Sequence, residues 1–133
     1  MFRLAIPAVL LLTAGATTAA TPQDGRQTRA DRALARALDG RVAGETTDCI
    51  TASGTDGPQV IDRNTLLYRQ GGRTVWRNEL PVNCPALGPG NTIIIELHGG
   101  QICKNDTFRV LEPGANIPSG SCRLGEFTPY RKP

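Results

Sequence analysis

The sequence predicts a mainly β fold, a small disulfide-stabilised β-barrel or sandwich preceded by one short helix, and three observations carry that reading. From Thr46 onward, short runs of β-branched and aromatic residues are punctuated by Gly, Pro and Asn, the texture of small sandwiches and barrels. Four cysteines, Cys49, Cys84, Cys103 and Cys122, fall in that stretch, and an even count in a short exported chain reads as a disulfide framework. Ahead of them, only one segment has a convincing helical stripe.

The chain is expected to divide into a signal peptide (1–20), a lead-in and helix (21–45) and a disulfide-containing β domain (46–130). Arg3 supplies a positive start, Leu4 to Leu12 is apolar apart from Pro7, and Thr13 to Ala20 is small throughout. Thr18 and Ala20 suit cleavage after Ala20, with cleavage after Ala19 as the close alternative. The apolar run is too short to span roughly 30 Å of hydrocarbon, and no later stretch approaches about 20 apolar residues. No transmembrane segment is therefore expected once the leader is removed. The Ala-rich leader and the excess of Arg over Lys suggest a bacterial source and a periplasmic or secreted product.

Thr21 to Gln27 reads as a flexible lead-in. Thr28 to Leu38 places Ala30, Ala33, Leu34, Ala37 and Leu38 on one stripe, with Arg29, Arg32 and Arg36 elsewhere and Gly40 as the stop. A stripe so rich in Ala implies a helix either loosely docked or partly frayed, and too little apolar area to hold a membrane surface. Arg26, Arg29, Arg32, Arg36 and Arg41 are interleaved with Asp24, Asp31, Asp39 and Glu45, which describes a solvated face and no nucleic-acid patch. The formal charge of +3 falls when Arg3 leaves, and a charge of that size recruits no particular partner.

Strands are expected at Thr47 to Thr51, Gln59 to Asp62, Thr65 to Arg69, Thr74 to Asn78, Thr92 to Leu97, Gln101 to Lys104, Phe108 to Leu111, and near Arg123. Gly71 and Gly72 suit a tight turn pairing Tyr68 with Val75 and Leu67 with Trp76; one more loop residue would slip that register. Gly99 and Gly100 would likewise pair Leu97 with Ile102 and Glu96 with Cys103. Ile93, Ile95 and Leu97 then line the core, and Glu96, His98, Gln101 and Cys103 share the other face. A crossing Leu80 to Leu87 segment would bring Cys84 to Cys103, leaving Cys49 for Cys122. Four cysteines allow three connectivities, and spacing alone does not select one. The spacings are long and contain no CysXaaXaaCys pair, which argues against zinc and thioredoxin-type chemistry; no metal or cofactor is expected.

Candidate chemistry is sparse. His98 is the one histidine, and its HisGlyGly setting is similar to part of an esterase oxyanion loop, yet no GlyXaaSerXaaGly elbow accompanies it. Ser53, Ser119 and Ser121 stand in Gly-containing loops, so a Ser121, His98, Asp106 triad exists only on paper. Glu79, Glu96, Asp62 and Asp106 lie in or beside strands, where solvent-facing and turn-capping roles are the ordinary ones. Asn105, Asp106 and Thr107 form a glycosylation acceptor pattern, which matters only in a eukaryotic secretory pathway. Arg69, Arg73, Trp76 and Arg77 form a candidate ligand surface: an outward Trp76 could stack on a sugar or peptide while arginines meet anionic groups. Inward, Trp76 is the largest core residue, the ordinary choice where aromatics are few.

CysIle at 49–50, IleAsp at 61–62, ThrLeuLeuTyrArg ending at Arg69, AsnGluLeuPro at 78–81, CysProAlaLeu at 84–87, CysLysAsnAsp at 103–106 and CysArgLeuGlyGluPheThrPro at 122–129 together resemble a family of small exported proteobacterial proteins, the domain of unknown function family numbered 6491. The resemblance covers Thr46 to Pro129, with the helix and leader outside it. It implies export and structural cysteines and assigns no catalytic residue. Where it implies Gly-Asp after the third cysteine, this chain has Asn105-Asp106. The expected function is an exported structural or binding protein of the bacterial envelope without enzymatic activity, whose partner is an envelope protein, peptide or glycan. The alternatives are a secreted hydrolase inhibitor, inserting the Pro-rich loop from Leu80 to Pro89, and a two-carboxylate hydrolase.

Overall fold

The computed structural model describes residues 22–133, and the signal-peptide assignment to 1–20 lies outside them. One helix, α1 (Pro22–Ala37), precedes ten strands: β1 (Val42–Ala43), β2 (Cys49–Thr51), β3 (Thr55–Val60), β4 (Thr65–Gln70), β5 (Thr74–Glu79), β6 (Thr92–Ile95), β7 (Gln101–Cys103), β8 (Thr107–Leu111), β9 (Ser119–Arg123) and β10 (Phe127–Arg131). They form an antiparallel sheet of order β1-β10-β5-β4-β3, a pair β2-β7 and a sheet β6-β8-β9. The sheets stay open, so the mainly β expectation resolves as a sandwich and no closed barrel forms.

The layers follow from which faces are apolar. In β4, Thr65, Leu66, Leu67 and Tyr68 are all buried, because this central strand is covered on both sides. Leu66, Tyr68, Trp76 and Phe127 face a core shared with Ile50, Ile102, Phe108 and Val110 of the opposing strands. Leu67 and Val75 point the other way, and with Ile61 they receive Ala30, Ala33, Leu34, Ala37 and Leu38. The helix is thus docked along the stripe seen in its sequence. It begins at Pro22, earlier than the expected Thr28 and inside the supposed lead-in; proline suits a first helical turn, where an N–H has no intrahelical partner. Gly40, with φ +66°, closes it in the left-handed region that glycine enters without strain.

Both expected hairpins change. The first turn contains Gly71, Gly72 and Arg73, because Gln70 pairs with Thr74, and the extra residue shifts every pair by one. Tyr68 therefore lies opposite Trp76 and Leu67 opposite Arg77. At Gly99 and Gly100 only the first rung survives, a bridge between His98 and Gln101. Beyond it β6 pairs with β8 and β7 with β2. Leu97, expected in the core, is accordingly 49% exposed.

That re-pairing also decides the disulfides, which are Cys49–Cys103 and Cys84–Cys122 in place of Cys84–Cys103 and Cys49–Cys122. Once β7 lies on β2, Cys49 is directly opposite Cys103, with Cα atoms 4.0 Å apart, and Cys84 is left for Cys122. Two strands lay outside the expected set. Val42 and Ala43 pair with Arg131 and Tyr130, and β10 runs beside β5, placing sheet residues on both sides of the 46–130 span. Pro129 is tolerated inside β10 because its carbonyl points to Gly44, just past the two-residue β1, where a missing N–H costs little.

At the end of β5, Asn78 is fully buried and treats Gly125 as a strand neighbour would. Its Nδ2 donates to the Gly125 carbonyl (2.8 Å) and its Oδ1 accepts the Gly125 N–H (2.9 Å). A Cβ on Gly125 would collide with the Glu79 carbonyl, so only glycine fits. Leu124 and Phe127, beside it, are fully buried. Asn105, where the family resemblance implied glycine, takes φ +69°, a conformation Asn tolerates better than most residues, and its N–H donates to Leu124.

Three outcomes are expected. Asn78→Ala strands both Gly125 backbone groups at about 1–3 kcal/mol each, so chemical denaturation should show a loss of about 2–6 kcal/mol. The Tyr68 hydroxyl is buried without a hydrogen-bond partner among the described residues, and its pKa is raised by burial and then by the Asp106 charge. Below pH 10 both folded and unfolded states keep that proton; above it the unfolded state ionises first, so stability should fall as pH rises past 10. Tyr68→Phe should flatten that fall in pH-dependent melting while costing nothing at pH 7. Proteolysis of the unreduced protein should yield one peptide pair joined through Cys49 and Cys103 and another through Cys84 and Cys122.

Candidate functional site

The arginine and tryptophan surface expected from the sequence is divided by the pleat. Trp76 is buried on the inner face, its Nε1–H donating to Gln70 Oε1 (2.9 Å). Arg69 and Arg77 alternate to the face that α1 covers. There Arg69 donates to Gln59 Oε1 (3.1 Å), and Arg77, half-buried, pairs with Glu79 (3.4 Å). Arg73 sits in the turn, where its carbonyl accepts from Arg41. The cation that does lie over the Trp76 ring is Arg131, 5.8 Å from the centroid. Only recognition of β10 could have revealed it, since Arg131 faces Thr74 across the β10–β5 ladder.

The other sequence candidates are also spread apart. Asp106 accepts the Cys103 N–H through Oδ2 (2.7 Å), and Asp62 accepts the Asn64 N–H (2.7 Å); each carboxylate caps its own turn. His98 and Glu96 are exposed beyond the end of β6, and Ser121 is exposed on β9. Among the described residues no group of three or more His, Cys, Asp or Glu side chains is placed to hold a metal ion. All four cysteines are in disulfides.

A different set does converge. Glu79 at the end of β5, Pro81 after it, Lys104 in the β7–β8 turn, Gly125, Glu126 and Thr128 around the start of β10, and Thr46 line a surface cleft of about 290 Å³. Lys104 is its electrostatic centre. Its ammonium donates to Glu126 Oε1 (2.6 Å) and lies 3.9 Å from Asp48, and the Glu126 hydrogen bond and charge raise its pKa. The cleft offers hydroxyls at Thr46 and Thr128, carboxylates at Glu79 and Glu126, and one ammonium, a donor and acceptor set suited to a polar ligand. The Asn78–Gly125 clamp meets the cleft at Gly125, which lines it. Sequence reasoning passed over Lys104 and Glu126; they are 22 residues apart, and the β8–β9 ladder, continued past Thr107 and Arg123 by the bonds of Asn105 and Asp106 to Leu124, brings them together.

Three segments that carry the family resemblance, 78–81, 103–106 and 122–129, supply six of the seven lining residues, all but Thr46. No curated protein and no solved structure matches the chain. One family model does, and its match over residues 1–132 takes in the leader and helix as well, further than the Thr46 to Pro129 reach read from the motifs. The chain therefore belongs to the family of unknown function DUF6491.

Proposed function

We propose that this chain is an exported, non-catalytic binding protein of the bacterial envelope, periplasmic or secreted, that takes a polar ligand such as a peptide, a glycan or a segment of another protein in the cleft around Lys104. The observation that carries this reading is the convergence of segments 78–81, 103–106 and 122–129 on one cleft holding an ammonium, two carboxylates and two hydroxyls. Export is supported by the leader pattern of residues 1–20 and by two disulfides, which persist in oxidising compartments. No helix among the described residues is long and apolar enough to cross a membrane. The two cleft carboxylates each face a cation, Glu79 facing Arg77 and Glu126 facing Lys104, an arrangement for holding a ligand in place.

One observation favours the inhibitor as a second reading. Pro81, Val82 and Asn83 form a tip between buried Leu80 and buried, disulfide-bonded Cys84, and Val82 is 74% exposed. Backbone bonds from Leu80 to Asn64 and from Cys84 to Arg63 brace the tip at both ends, and such preorganisation lowers the entropy cost of binding.

Immobilised oxidised protein, incubated with envelope extract under nonreducing conditions, tests both readings. Binding in the cleft predicts a retained partner whose capture falls at least about tenfold, about 1.4 kcal/mol, in Lys104→Glu. If the retained partner is an enzyme that loses activity, and Val82→Asp rather than Lys104→Glu abolishes capture, the inhibitor reading replaces it. Substrate turnover by the parent protein on a broad hydrolase panel, lost with Glu79→Gln, would overturn both.

A further inference from the structure

We propose that the cleft between α1 and the β3–β4 side of the large sheet, flanked by Arg36 and Arg69, is a binding site for a small organic oxyanion, one presenting a carboxylate or a phosphate group. The cleft measures about 240 Å³ and is lined by Ala33, Arg36, Ala37, Gln59 and Arg69. It arises from the way the helix docks. Ala33 and Ala37, one turn apart, pack with Leu34 and Leu38 on the outer face of the sheet, and their short side chains leave a gap over β3 and β4. Arg36 flanks that stripe on the helix side. Gln59, opposite Leu67 on the ladder, and Arg69, two residues further along β4, flank it on the sheet side. The cleft shares no residue with the one around Lys104, and the proposal does not rest on that reading.

The polar side chains of the lining supply donors. Arg69 Nη2 donates to Gln59 Oε1 (3.1 Å), which engages the acceptor of that carboxamide and leaves its NH2 group. Arg36 Nε donates to the Arg32 carbonyl (3.3 Å), which leaves both terminal nitrogens of the guanidinium. No carboxylate lines the cleft, and neither arginine is in an ion pair with a described residue; Asp56, opposite Arg69 on the ladder, does not pair with it. Arg77 and Lys104, by contrast, each have a carboxylate at hand. A cation in the last helical turn is ordinary, because the carbonyl end of a helix carries partial negative charge, and that accounts for Arg36 alone. The second guanidinium, brought from β4 to the same gap, completes a set of two forks and an amide that matches the paired oxygens of a carboxylate or phosphate. The volume falls below the roughly 300 Å³ of sites for drug-sized ligands, so the anion is small, with the Ala33 and Ala37 methyls as its apolar contact. Both arginines are exposed, so salt screens the attraction and the affinity is modest.

NMR titration of the oxidised parent protein with inorganic phosphate and, separately, with succinate tests the proposal, chloride holding the ionic strength constant and low. Saturable shifts centred on Ala33, Arg36, Ala37, Gln59 and Arg69 should give a dissociation constant of about 1 mM, and the shifts should fade as salt approaches about 0.5 M. Saturation by phosphate alone identifies a phosphoryl ligand and saturation by succinate alone a carboxylate; either, or both, supports the site. Arg36→Gln and Arg69→Gln, at exposed positions, should each weaken binding about fivefold or more, whereas Arg109→Gln, on the exposed side of β8, should leave it unchanged. The parent titration does not depend on any variant folding. Shifts that grow linearly without saturation for both anions, saturable shifts centred away from these five residues, or binding indifferent to Arg36→Gln and Arg69→Gln would each overturn the proposal.

Discussion

The reciprocal pair of hydrogen bonds between Asn78 and Gly125 is the contact on which the remaining architecture turns. A carboxamide presents one donor and one acceptor in the geometry of a peptide group, so the Asn78 side chain adds one more rung to β5, whose backbone at that position already lies between Leu66 of β4 and Phe127 of β10. The rung is dry, with Asn78 fully buried, and a dry rung is costly to leave half made. It requires glycine on the far side, because the Glu79 carbonyl occupies the space of any side chain. Around it cluster Leu124, Phe127 and the Cys84–Cys122 disulfide. The 122–129 segment of the family resemblance is thus a closure device: it anchors the end of β9, turns on Gly125 and starts β10 against β5.

From that closure the rest follows in order. β10 on β5 completes the large sheet and gives the inner core Phe127 beside Tyr68, with rings 5.8 Å apart in an edge-on contact, while α1 covers the other face at Leu67 of β4 and Val75 of β5. The β8–β9 ladder, continued through Asn105, Asp106 and Leu124, sets Lys104 beside Glu126, and Gly125, between Leu124 and Glu126, ties the clamp to the cleft. Stability and the candidate site therefore share one residue, Gly125, which is why the segments bearing the family pattern serve both.

Much of the fold was legible because it is local. The helix stripe from Ala30 to Leu38 is a matter of spacing, and the docked residues are the five read from sequence. Most strands between Cys49 and Leu111 were found near their true positions from β-branched runs and turn residues. What escaped was non-local or off by a single residue. Arg73 lengthened one turn and moved Trp76 opposite Tyr68. The Gly99-Gly100 turn formed but passed its partners on, because β2 competes for β7 and β8 for β6. Cysteine pairing followed that competition, which spacing does not encode. Pro129 hid β10, and with it Arg131; the β8–β9 ladder, which sets Lys104 beside Glu126, was equally non-local. The Arg69, Trp76 and Arg77 cluster looked contiguous in one dimension, but a two-residue period sends neighbours to opposite faces.

Amide hydrogen exchange at Gly125 tests the central claim most directly. If the Asn78 carboxamide holds that N–H in the core, its protection should match the slowest exchanging amides of β4 and β5, opening only when the whole molecule unfolds. Rapid exchange at Gly125, with β4 and β5 still protected, would show that the 122–129 segment opens on its own and that the clamp does not hold the fold together.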